Sequence, residues 1–189
     1  MIQDILHLLV STVTDIYTLL VVLRFLLQVA KADFYNPLSQ FIVKATDPLL
    51  KPLRRFIPGF WGIDLSSLVL ALLVQIVGVI IVSLLAGALV TNPFIYLLEG
   101  VFGVLEAALN FYFFAIIILI IISWIAPQTY NPAAALLSQL TDPVLTPFRR
   151  LLPAMGGLDF SPMLALFVIH ILRAIILPGL IASLGSFLQ

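Results

Sequence analysis

Four stretches of this sequence stay apolar for more than twenty residues, approximately from Ile5 to Ala30, Leu65 to Val90, Phe94 to Ile125 and Pro162 to Leu184. Crossing ~30 Å of hydrocarbon takes about 20 helical residues. A lone apolar segment can do so only as a helix, which satisfies its own backbone polar groups. The fold class that follows is an all-α membrane protein of about four transmembrane helices. Composition agrees: 62% of the residues are hydrophobic and 10% charged, against about 25% charged in soluble domains. The third stretch would be ~50 Å long as straight helix, more than one span needs. Its first part, with Glu99, Gly100 and Gly103, is therefore expected in the outer interface, with Trp124 at the inner edge, where amphipathic rings collect. The N-terminus carries Asp4 and no basic region, and its apolar run is too long for a cleaved leader, so the first helix reads as retained.

The segments between the spans carry the second constraint. Tyr35–Ser66 aligns without gaps to Tyr130–Ser161 at an offset of 95, with 14 of 32 positions identical, among them T-D-P, R-R and G-x-D-x-S. Apolar chains match by chance at Leu and Ile, not at Asp, Arg and Pro in register. The chain thus reads as two parallel tandem repeats, 1–92 and 93–189, each a span, an amphipathic connection and a second span. Within each connection, Asn36–Pro37 and Asp47–Pro48 place a capping residue before a proline at the first helical position, as do Asn131–Pro132 and Asp142–Pro143. Two short amphipathic helices per connection are expected, separated at Asp47 and Asp142. Pro58, Gly59 and Gly62 suit a turn, and Asp64, Asp159 and Ser161 suit caps of the following spans.

Of nine Lys and Arg, five lie in the first connection (Lys31, Lys44, Lys51, Arg54, Arg55) and two in the second (Arg149, Arg150). Loops rich in these cations stay cytoplasmic. Both long connections are therefore expected inside and both termini in the periplasm.

With T-D-P-x-L-x-P-x-R-R-x-x-P and G-x-D-x-S present twice between spans, the chain resembles the YggT (YlmG-related) family of small integral membrane proteins. The two-copy form is similar to proteobacterial members, which implies a bacterial inner membrane. Relatives are tied to cytochrome b maturation in plastids, to cell-division gene neighbourhoods or to osmotic stress. The resemblance carries over no catalytic residue.

The residues themselves leave several readings open. The absence of cysteine removes disulfides, thiolate metal sites and covalent haem attachment. His7 and His170 differ in depth by ~20 Å, too far to share a haem, and no cofactor or metal is expected. Zero net charge gives no argument for nucleic acid. The pairs Arg54–Arg55 and Arg149–Arg150 suit lipid headgroups or a phosphorylated partner, or serve only to anchor topology. Arg24, near an inner end, is expected to snorkel.

Polar residues inside the spans are costly and mark function or a buried structural pair. Asp15, Gln75, Glu106, Asn110, His170 and Arg173 form the candidate intramembrane cluster. Asp15 and Arg173 lie ~21 and ~18 Å above the inner boundary, and are expected to pair. Two functions compete. The first is a non-enzymatic scaffold, assembly or stress-response factor, whose partners are lipid, other membrane proteins or a second copy. The alternative is a small transporter or ion channel that uses the intramembrane polar residues.

Overall fold

A computed structural model describes residues 2–57, 59, 64–89, 92–125, 131–151 and 159–188. These are helical almost throughout: α1 (Ile2–Val29), α2 (Pro37–Phe56), α3 (Leu65–Leu85), α4 (Pro93–Ile125), α5 (Pro132–Leu151), α6 (Ser161–Ile171), a π-helical turn (Leu172–Ile176) and α7 (Leu177–Leu188). Four helical segments are long and apolar enough to cross a membrane: α1, α3, α4, and the run through α6 and the π turn to Ser186.

α1 packs most extensively on α3, and α3 in turn lies along α4. Glycines set both crossings. A Cβ at Gly78 would meet Thr14, one at Gly100 would meet Ile76 and Leu72, and one at Gly103 would meet the Gln75 carboxamide. The first turns of α4, set apart above as interfacial, therefore continue the helix unbroken and pack on α3.

α2 and α5 correct the expectation of paired short helices. Each is one helix of 20 residues with two prolines inside, Pro48 and Pro52 or Pro143 and Pro147. Proline removes an intrahelical bond and normally breaks the run. Here the residue two before the first proline, Thr46 or Thr141, donates its hydroxyl back to the carbonyl of Ile42 or Leu137, at 2.8 and 2.9 Å. Both threonines are fully buried, and with Ser39, Ile42 and Leu50 they face the bundle. Leu38, Phe41, Leu49 and Phe56 stay exposed.

The two repeats meet at α2 and α5. Leu136 and Leu140 join the core of Leu26, Leu27, Ile42 and Leu50. The Asn36 side-chain amide donates to the Pro132 carbonyl at 2.7 Å, and the Asp33 backbone N–H donates to Gln139 at 2.8 Å. Asn36 and Asn131 cap as expected, accepting from the N–H of Leu38 and Ala133 at 3.0 and 2.8 Å. Asp47 and Asp142 do not cap, because they lie inside continuous helices. Asp47 pairs with Lys51 at 3.0 Å and Asp142 with Arg149 at 2.5 Å. Ser161 begins α6 rather than capping it, its N–H taken by Asp159 at 2.9 Å. Pro58 and Gly62 lie outside the described residues.

Candidate functional site

One feature breaks the likeness of the two halves. Under the 95-residue offset Gly78 corresponds to Arg173. Where Gly78 lets α3 press on α1, Arg173 sits in the π-helical turn, five residues ahead of Pro178. Widening the helix there spares the carbonyl of Ala174 a clash with the proline ring, and the Leu177 N–H bonds back to Leu172 instead. α3 lies along α4, but among the described residues no comparable packing joins α6 to α1.

The seam left open is a cleft of about 580 Å³, with walls that include Asp15, Gln75, Glu106, Asn110 and Arg173. It runs from Gly103 to Ile118 along α4, ~22 Å at 1.5 Å per residue. Five of the six residues of the intramembrane cluster therefore do come together. His170 does not: it is exposed and lies beside the Phe113 ring, centroids 6.2 Å apart.

The contacts within the cleft differ from the expected Asp15–Arg173 pair. Asp15 accepts a long hydrogen bond, 3.4 Å, from the buried Gln75 side chain. Gly103 makes room for that carboxamide. Arg173 instead lays its guanidinium over the rings of Phe113 and Phe114, at 4.9 and 5.7 Å. Equal depth was legible in the sequence, but the direction in which each side chain leaves its helix was not. Asp15 and Glu106 are exposed to the cleft, and the Asn110 carbonyl oxygen is buried without a hydrogen-bond partner. Two carboxylates thus face one guanidinium. No group of three or more His, Cys, Asp or Glu able to hold a metal occurs among the described residues.

At the α2–α5 end of the bundle, the arginines are used unequally. Arg54 pairs with Asp64 at 2.5 Å, and Asp64 also accepts from the Ser67 hydroxyl at 2.7 Å. Burial alone would raise the Asp64 carboxyl, but the hydrogen bonds from Arg54 and Ser67 and the Arg54 charge outweigh it and hold its pKa below the usual 3.8. Asp64, the residue at the N-cap of α3, is thus both the ion-pair partner of Arg54 and bound to Ser67 in the first turn of that helix. In the second repeat Arg149 reaches both Asp142 and Asp159, at 2.5 and 3.3 Å. Hydrogen bonds from Ser161, then Arg149, lower the Asp159 pKa against the opposing effect of burial. Arg55 and Arg150 are exposed.

The sequence model of the CCB3/YggT family matches this chain twice, over residues 3–85 and 98–180. Both the repeat offset of 95 and nearly the whole chain are covered. The chain belongs to the CCB3/YggT family. Similar proteins include an uncharacterised protein of Pseudomonas aeruginosa, PA0392, 49% identical over 93% of this chain and 89% of its own length. The uncharacterised protein YggT of Escherichia coli K12 is 40% identical over 87% of this chain and 85% of its own. An uncharacterised protein of Galdieria sulphuraria, ycf19, is 38% identical over 69 residues, 36% of this chain but 70% of that protein, so that relative is roughly one repeat long. No solved structure matches the chain.

Proposed function

We propose that this member of the family is a non-enzymatic scaffold or assembly factor of the bacterial inner membrane, and that the cleft between its halves receives a transmembrane helix of a partner protein. The observation that carries this reading is the exposure of Asp15 and Glu106 in an elongated groove within the spanning segments. Charge facing lipid there is costly, and the groove follows α4 for ~22 Å, about four helical turns, a length over which a helix can lie in a groove. Its two carboxylates exceed its one guanidinium. A second copy would bring the same negative excess, so the charge balance favours a different protein with a cation or hydrogen-bond donor at that depth. The Lys and Arg distribution supports cytoplasmic connections and periplasmic termini, and the scaffold reading extends to a stress-response role.

A photocrosslinking residue at Ile16 or Phe114, in the cleft wall, tests this in native membranes against one at Val77, exposed on α3. A discrete protein adduct at the cleft positions, absent at Val77 and lost on combining Asp15→Asn with Glu106→Gln, is the expected result. An adduct of twice the chain mass would assign the cleft to self-association, and equal labelling at Val77 would sink the proposal. The carboxylates in the cleft also favour a transporter reading. Ion or proton flux in proteoliposomes, abolished by Asp15→Asn, would put that reading first.

A further inference from the structure

A second cavity, about 560 Å³, lies where the end of α1 meets the end of α2 and the start of α3, with Arg24, Phe34, Arg54, Ile57, Gly59 and Asp64 in its walls. Two guanidinium groups share it with one carboxylate. That carboxylate, on Asp64, already accepts from both Arg54 and Ser67. Asp47, two helical turns before Arg54, is occupied as well, because it pairs with Lys51. Arg24 is therefore the excess cation. Its guanidinium lies over the Phe34 ring, 5.5 Å from the ring centre, a cation–π contact. Its Nε is buried and has no hydrogen-bond partner. A buried donor left without an acceptor is costly, so the arrangement lacks an acceptor.

The second repeat has no such excess. Leu119 stands in the position of Arg24, and Arg149 is shared by Asp142 and Asp159. Depth narrows the ligand class. Arg24 is five residues from the end of α1, or ~8 Å, and Arg54 is in the last turn of α2. Both reach the level at which a span leaves the hydrocarbon and phosphate headgroups begin.

We propose that this cavity binds a single anionic phosphate ester, held by Arg24 and Arg54 as paired guanidinium forks. Planar forks suit the oxygens of a phosphate, Phe34 backs one of them, and only the first repeat supplies both. The ligand has two sources, a phospholipid headgroup or a soluble phosphate ester.

The test uses the purified full chain in zwitterionic nanodiscs, titrated with phosphatidylglycerol in one arm and with inorganic phosphate or glycerol phosphate in the other. Bound phosphate is counted by native mass spectrometry. Saturation at one per chain is expected, with Arg24→Gln weakening binding about tenfold or more, the loss of a charge-assisted hydrogen bond. Arg150→Gln, the exposed arginine of the second repeat, should leave binding unchanged. Saturation by the lipid alone identifies a headgroup. Saturation by the soluble esters with the same dependence on Arg24 identifies a soluble ligand. No saturable binding, two sites per chain, or equal losses in the two variants would overturn the proposal. Should Arg24→Gln fail to fold, the stoichiometry of the unaltered chain still decides.

Discussion

Replacing Gly78 by alanine tests the tight crossing of α1 and α3. The added Cβ would lie 3.0 Å from Thr14 Cβ, 2.6 Å from its Oγ1 and closer still to its Cγ2. Rotating χ1 cannot clear all three atoms, because threonine is branched at Cβ and stiff, so α1 and α3 must part by some tenths of an ångström. Overpacking of this kind costs about 1–3 kcal/mol, while the gain in helix propensity from Gly to Ala returns about 0.5–1 kcal/mol. The net expectation is therefore a loss of about 1–2 kcal/mol, measured by equilibrium unfolding in mixed micelles with circular dichroism. Thr14→Ala, which deletes Oγ1 and Cγ2, should recover most of that loss in the double variant. Gly179→Ala is the control: no atom lies within 4 Å of its added Cβ, so only the propensity gain remains. Equal stability of Gly78→Ala and Gly179→Ala would refute the tight crossing, and with it the account of why α3 closes on α1.

A double-mutant cycle of Asp15→Asn with Gln75→Leu should show coupling of about 0.6 kcal/mol, the average for hydrogen bonds between membrane helices. Asp15→Asn with Arg173→Gln should be additive, and strong coupling there would restore the ion pair that the structure lacks. The Asp64 pKa is lower folded than unfolded, so its contribution to stability is full above about pH 4 and lost as the pH falls through the folded value. Thermal melts should therefore weaken on acidification, and Asp64→Asn should flatten that limb; an unchanged acid limb would refute the pairing. Single cysteines at Gln3 and Asn92 should react with an impermeant thiol reagent applied from the periplasmic side, and those at Gln40 and Ser138 should not. The reverse pattern would invert the orientation. Phe41→Asp and Phe56→Asp should lower the yield of inserted protein while Lys44→Gln is tolerated, because an Asp on a lipid-facing surface loses solvation without gaining a partner; three silent variants would place those faces in water.

The spans were legible because lipid demands a minimum apolar length, and the likeness of the two halves because Asp, Arg and Pro recur in register. The interior of α2 was not. Asp47–Pro48 has the form of a helix start, yet α2 runs through it from Pro37 to Phe56, with Thr46 buried and bonded back to Ile42. The cluster in the cleft was legible as a depth, since Asp15, Asn110 and Arg173 each stand far from a helix end. Which of them touch depends on azimuth and on the π turn before Pro178, and an apolar sequence records neither. Arg24 was hidden by a sound general rule, that an arginine near a helix end reaches for water. Its neighbours Phe34 and Arg54 come from other elements, so only the tertiary fold brings them beside it.

The pairing of Gly78 with Arg173 has a consequence for how such a chain can diversify. A relative roughly one repeat long, like the Galdieria protein, would have to bring two identical chains together to build a comparable bundle, and each change would then appear on both sides of the axis. A glycine permitting close contact on one side and an arginine holding the other open would be impossible in that assembly. A single chain that holds two matches to the family model is free of that restriction. One half can keep the close-packed interface that stability needs, while the other gives up contact in exchange for a polar opening.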